Sequence, residues 1–390
     1  MFRSLFLLLY TSTVPLMAQQ NASLVGVLPQ EVSETSGIIF YKGHLITHND
    51  SGNEPLLYEL DTTNLEILRT IRVQNAVNTD WEDIAQDDRY IYIADIGNNA
   101  GNRRELQIYR ISKADYDVAD QLMAEQISFT YSDQTVMNPG QNSDWDAEAL
   151  IATDGQLLIF TKQWQTKGTK AYSIPAAPGT YSADLLGSYA INGLVTGAVL
   201  NRESGVAYLC GYNQILQPFL LRMEEFDAAD PFGGTSFKTT LNTGLAQLEG
   251  IATIDAGRYF LSTEKFVNNS PSITLMASLY TFRSGDTAVE APLPGEELPP
   301  VEETPPGEKP RRDELLLFNA NGTKAIGYEL RWDEAVYGRA IYDQHGRRVR
   351  YTIANDFEGN TIDLSTLSSA VYYLTFYLQG KTVSKPFYLR

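Results

Sequence analysis

WEDIAQDDRYIYIADIG, residues 81–97, places two acids at the mouth of a strand, then a turn, then a tyrosine-rich run of alternating apolar residues. With Asp80 just ahead of it, the stretch holds Asp80, Glu82 and Asp83 so close together that they repel one another unless a cation is near. The same design recurs at TSGIIFYKGHLITHND (35–50), AEALIATDGQLLIFTKQ (147–163), TGAVLNRESGVAYLCGYN (196–213) and LEGIATIDAGRYFLSTEK (248–265). In each, a polar residue heads a small or acidic one and an apolar step, and a turn leads to an apolar strand. The heads are Ser36, Glu82, Glu148, Thr196 and Glu249, spaced by 46, 66, 48 and 53 residues, a period that suits four-stranded propeller blades.

Each repeat is followed by a third strand: LLYELD, LQIYRI, KAYSI, FLLRM and SLYTF. The first four also have a fourth: ILRTIRV, QISFTYS, LLGSYAI and FKTTLN. The fifth lacks one, and ASLVGVLP (22–29) near the start of the chain supplies a candidate. A ring closed by strands from both ends of the chain protects its edges. The expected fold is therefore all-β, a five-bladed β-propeller. A β-sandwich is the weaker alternative, because nothing in it requires a polar residue at the head of every repeat.

The rest of the chain divides by composition. MFRSLFLLLYTSTVPLMAQQ has a basic residue, a short apolar stretch and the small Ala18, and reads as a signal peptide over 1–18. The propeller is expected over 19–285. Residues 286–312 hold seven of the 17 prolines and read as an extended acidic linker, which leaves 313–390 as a tail domain. No later segment is apolar enough for a membrane span, so the expected product is exported and either secreted or held at the cell surface. The net charge of −18 argues against nucleic acid and for cations. One cysteine, Cys210, excludes intrachain disulfides, and with only His44, His48 and His345 a His/Cys zinc site is not expected.

In a propeller the first strand of each blade lines the central channel, so the five heads converge on the axis. Three carboxylates and two hydroxyls there form an oxygen-only set that selects a hard cation such as Ca²⁺. The plainer alternative is a polar channel bridged by water. Asp80, Asp83, Asp144 and Asp146 read as solvated turn acids. Loops on one face would gather Asp50, Asp95, Glu264 and His48 as candidate bases and Lys162, Lys265 and Arg103 as phosphate partners. Trp81, Trp145, Trp164 and Tyr212 are the candidate aromatic platform. The plain readings are turn chemistry for NDSG and GNNAGN, and packing between blades for Trp81 and Trp145. No serine elbow or phosphate-binding loop is visible.

Three resemblances add to this. IYDQHGRRV, NTIDLSTLSSAVYYLTF and GKTVSKPFYLR resemble the C-terminal sorting domain of type IX secretion cargo of Bacteroidetes-like bacteria, with LFNANG replacing the usual YPNP opening. This implies a small immunoglobulin-like sandwich, recognised by the type IX machinery after passage through the periplasm and outer membrane. HNDSG, DWEDIA and EGIA resemble a family of secreted bacterial propeller proteins of unassigned function. The order Ser, Glu, Glu, hydroxyl, Glu at the heads is distantly similar to the calcium-activated nucleotidases (apyrases). That likeness implies Ser36, Glu82, Glu148, Thr196 and Glu249 as a calcium shell, with Thr196 where that family has Ser. Two functions are therefore expected of a calcium-binding propeller. One is metal-assisted hydrolysis of phosphoesters or phosphoanhydrides. The other is non-catalytic binding of a carbohydrate or protein, as in adhesion, with the calcium purely structural.

Overall fold

The computed structural model describes residues 19–289, except 136, 138, 139 and 154. It also describes the strands of the tail between 315 and 389 with a few residues beside them. The expected signal peptide, most of the expected linker, His345 and Asp154 lie outside the described residues. The chain forms two compact units, 1–289 and 290–390.

In the first unit, alternating apolar residues and tight turns build four-stranded antiparallel meanders, one after another. The first runs through Thr35–Tyr41, His44–Asn49, Leu56–Asp61 and Ile67–Val73. The second runs through Trp81–Gln86, Tyr90–Asp95, Leu106–Ser112 and Glu125–Tyr131. The third comprises Ala147–Ala152, Gln156–Thr161, Thr169–Pro175 and Gly179–Tyr189. The fourth comprises Leu194–Asn201, Val206–Tyr212, Pro218–Met223 and Ser236–Leu241. The fifth has Gln247–Asp255, Arg258–Glu264 and Ser278–Arg283, and its outer place is taken by Ala22–Val27 from the start of the chain. The outer strands of the second and third meanders pair in parallel, which merges the two into one eight-stranded sheet.

Packing between meanders closes the circle. Separate apolar clusters join the first to the second (Ile46, Ile93), the second to the third (Ile108, Ile159) and the third to the fourth (Phe160, Leu209). Two more join the fourth to the fifth (Tyr208, Leu261) and the fifth back to the first (Phe260, Leu45). The five first strands touch one another in the same cyclic order. Sheets arranged radially with their first strands around a common axis constitute a β-propeller.

The sequence pattern did not show a hairpin, Phe266–Asn269 with Ser272–Leu275, inserted after the second strand of the fifth meander. In the tail, a three-stranded sheet and a four-stranded sheet share a core that includes Tyr328 and Ile362 from one and Leu374 and Phe376 from the other. No helix among the described residues is long and apolar enough to cross a membrane.

Candidate functional site: a carboxylate cup on the ring axis

Every first strand breaks register with its neighbour at its head. The shifts fall between Thr35 and Ile38, Trp81 and Asp83, Ala147 and Ala149, Val195 and Gly197, and Leu248 and Gly250. A bulge re-aims the side chain of the extra residue, and these bulges contain Ser36, Glu82, Glu148, Thr196 and Glu249. The five heads, all buried, therefore share one local geometry.

The hydroxyls and the carboxylates do different things with it. Ser36 Oγ donates to the carbonyl of Glu82 at 2.6 Å, and Thr196 Oγ1 donates to the carbonyl of Leu248, each tying its strand to the next. Glu82, Glu148 and Glu249 instead meet further acids. Burial pushes each of them well above the usual carboxylate range, and neighbouring acids add to the rise: Glu148 beside Glu82, Glu264 beside Glu249, and Asp146 beside Glu148.

The added acids enter from two positions. Asp50, Ile96, Lys162, Tyr212 and Glu264 each follow the residue that pairs with the head's predecessor, so the five are equivalent across the repeats. Asp80 and Asp146 lie two residues before their heads. Burial raises Asp50, brings Asp80 up to about 7 with Asp50 and Asp146 contributing, and brings Glu264 up to about 7 with Asp50 contributing. Among the described residues, seven carboxyls thus share a cup with the ammonium of Lys162.

That ammonium is already engaged. Lys162 Nζ lies 2.6 Å from both Glu148 oxygens and over the rings of Trp164 and Tyr212. Burial is the largest influence and opposes its charge, but Glu148, Tyr212, Glu249 and Asp146 together lift Lys162 well above its ordinary value. Asp146 is satisfied as well: Oδ1 accepts from the Asn98 amide at 2.6 Å and Oδ2 from Trp164 Nε1 at 2.8 Å. By contrast, among the described residues no donor reaches the carboxylates of Glu82 or Asp80. Gly97 makes room for both, since a Cβ there would overlap Glu82 Oε1 and the Asp80 carboxyl. Two groups, Asp50–Asp80–Glu82 and Glu82–Asp146–Glu148, each bring three oxygens within 4.8 Å of one another. An all-oxygen, acid-rich donor set around an unpaired buried carboxylate fits a hard divalent cation.

Several expected roles are corrected. Lys162 and Arg103 do not serve as free phosphate partners, because Lys162 holds Glu148 and Arg103 holds Asp95 Oδ1 at 2.8 Å and the Gly97 carbonyl at 2.7 Å. Asp95 is fully buried and also accepts from the Asp80 amide and Gln107, so it is no base. His48 is fully buried against Trp81, and burial lowers it to about 4, which removes it as a solvent-facing base. Trp81 packs on His48 and Tyr109 in the core, and Tyr212 is buried beneath Lys162, so neither offers a ligand face. Trp145 packs at a tilt against Tyr131 with Lys170 over its ring. Lys265 is exposed at the root of the inserted hairpin. Of the candidate bases, Asp50 and Glu264 reach the cup. Asp83 and Asp146, expected as solvated turn acids, are buried. Asp83 Oδ1 accepts from the Ile84 amide and Oδ2 from the Leu150 amide, each at 2.8 Å, and the Ala198 amide also contributes.

The sequence matches no protein-family description, and no curated protein matches it either. Among solved structures, the chain is similar to hydrazine synthase of Kuenenia stuttgartiensis (8% identity, 95% of this chain and 81% of that one, TM-score 0.32). It is also similar to a quinoprotein alcohol dehydrogenase-like protein from Bacteroides thetaiotaomicron (11% identity, 84% and 66%, TM-score 0.30). A candidate 6-phosphogluconolactonase from Bacteroides uniformis is a third (14% identity, 84% and 86%, TM-score 0.31). Likeness at this level assigns no activity, and the fold rests on the strand pairing described above.

Proposed function

We propose that residues 19–285 form a five-bladed β-propeller that binds calcium in the carboxylate cup and presents it to an anionic ligand. The observation that carries this is Glu82, a residue 5% exposed whose carboxylate has no donor among the described residues and which both three-acid groups share. Such a charge is tolerated when a cation neutralises it or when it keeps a proton. With calcium bound, the ion would supply a Lewis acid for phosphate oxygens and lower the pKa of a bound water. Of the two half-buried candidate bases that reach the cup, Asp50 faces the ion and Glu264 is the base this chain offers, so metal-assisted phosphoester or phosphoanhydride hydrolysis is the reaction class.

A second reading is a non-catalytic carbohydrate- or protein-binding module with structural calcium. It is favoured by one observation: Lys162 and Arg103 are tied to acids, so the chain's own cations offer a phosphate little. We further propose that 1–18 is a signal peptide, 286–312 a linker, and 313–390 an immunoglobulin-like sorting domain that the type IX machinery recognises. The protein would then be secreted or held at the surface. The two-sheet core of the tail supports a sandwich there.

Thermal melts of the chelated full chain with and without calcium test the ion. Saturation at about 100 times the dissociation constant adds about 2.7 kcal/mol. A shift seen with calcium and absent with sodium is expected; no shift, together with no bound metal on analysis, overturns the proposal. A screen of nucleotides and phosphate esters then separates the two readings, since only the first predicts turnover that chelation abolishes.

A further inference from the structure

We infer that the ion lies off the ring axis, held by Asp50, Asp80 and Glu82, and that Lys162 is a resident cation filling the other half of the cup. The inference rests on the reading that the cup takes a divalent cation, and it replaces the symmetric five-head shell with a lopsided one.

The two acidic groups share Glu82 but differ in what already satisfies them. In Glu82–Asp146–Glu148, both Asp146 oxygens accept from Asn98 and Trp164, and both Glu148 oxygens accept from Lys162. An ion entering there must displace an ammonium that two short charged hydrogen bonds fix in place. In Asp50–Asp80–Glu82, Asp50 accepts from the Ser51 amide, while Glu82 and Asp80 accept from no described donor. Arg103 acts on Asp80 and Lys162 on Asp50 only through space, so the buried Glu82 carboxylate, aimed into the space that Gly97 leaves open, marks this half as the one with no cation in direct contact among the described residues. Asp50 and Asp80 are only half-buried, so this half also faces solvent. A ligand would therefore reach the ion past Asp50 and Asp80, and not down the axis.

Ser36 and Thr196 each donate to the next first strand's carbonyl, and neither belongs to the two three-acid groups. Glu249 hydrogen-bonds with Glu264, a carboxyl pair outside both three-acid groups. Lys162 then has a definite role: it supplies within the chain the charge that a second ion would otherwise bring.

The test is calcium titration of the chelated full chain by calorimetry, with bound metal counted on the same samples. The wild type is expected to bind one ion. Asp80→Asn, whose side chain ties no other element, should weaken it by about 10- to 100-fold, while Glu249→Gln should change it by less than about tenfold. Lys162→Gln should gain a second ion. Strong loss with Glu249→Gln and little effect of Asp80→Asn would overturn the off-axis site while leaving calcium binding intact. A folded Lys162→Gln protein still holding one ion would overturn the resident-cation role. If the Lys162 variant does not fold, the Asp80 and Glu249 pair still decides the position. No ion in the wild type would overturn the functional reading and this inference with it.

Discussion

Glu82 and Asp83 are adjacent in the chain, both acidic and both buried, at 5% and 2% exposure, yet the structure treats them oppositely. Asp83 turns inward and gathers backbone amides from three different first strands, at Ile84, Leu150 and Ala198. It fills the space that Gly37 leaves, where a Cβ would lie 2.6 Å from Asp83 Oδ1. Glu82, displaced by the bulge, turns into the cup beside Glu148, Asp50, Asp80 and Asp146, and no donor among the described residues reaches its carboxylate. A buried carboxylate with its donors built in is part of the scaffold. One without them must keep a proton or meet a cation, and that contrast separates the scaffold acid from the proposed binding acid.

The largest effect should come from breaking the scaffold member. Asp83→Ala strips acceptors from buried amides on several strands and should lower the unfolding free energy by about 3–5 kcal/mol, read by denaturant melts. An effect below about 1 kcal/mol would mean that the ring does not depend on this carboxylate. Next comes the cup member. Glu82→Gln should leave the chelated protein as stable as the wild type or more so, because a neutral amide is cheaper to bury than a charge, and it should erase the calcium-induced shift. Ser36→Ala removes one buried hydroxyl bond to the Glu82 carbonyl and should cost about 1 kcal/mol, with calcium affinity barely changed.

The same pair of residues shows how far the sequence carries. Head residues at a blade-like spacing, strand-and-turn units between them and the chain-start strand beside the fifth are all periodic features, and periodicity can be read along a chain. The partners of a side chain across three strands cannot. Asp83 and Asp146 therefore read as turn acids, and Trp81 as a ligand platform, when all three are buried. The bulges decide which of two neighbouring acids points to the cup, and a one-residue register shift has no signature in composition. Lys162 and Glu264 were legible as loop residues. Their equivalence with Asp50 emerges only when each is counted from the residue that pairs with the head's predecessor.

The charge imbalance of the cup has a direct signature in pH. Asp80 and Glu264 stand at about 7 when folded and near 4 when unfolded, so between those values the folded state keeps protons that the unfolded state has lost. Their contribution to stability therefore falls as pH rises through this window. His48 works the other way, since its folded value of about 4 makes it cost stability as pH drops below about 6.5. The raised acids outnumber it. The decisive measurement is a melt of the full chain at about pH 5 and about pH 8, chelated and calcium-loaded. The chelated protein should be less stable at the higher pH, and calcium should close or reverse the gap. A chelated protein equally stable at both, unmoved by calcium, would contradict a cup that needs a cation.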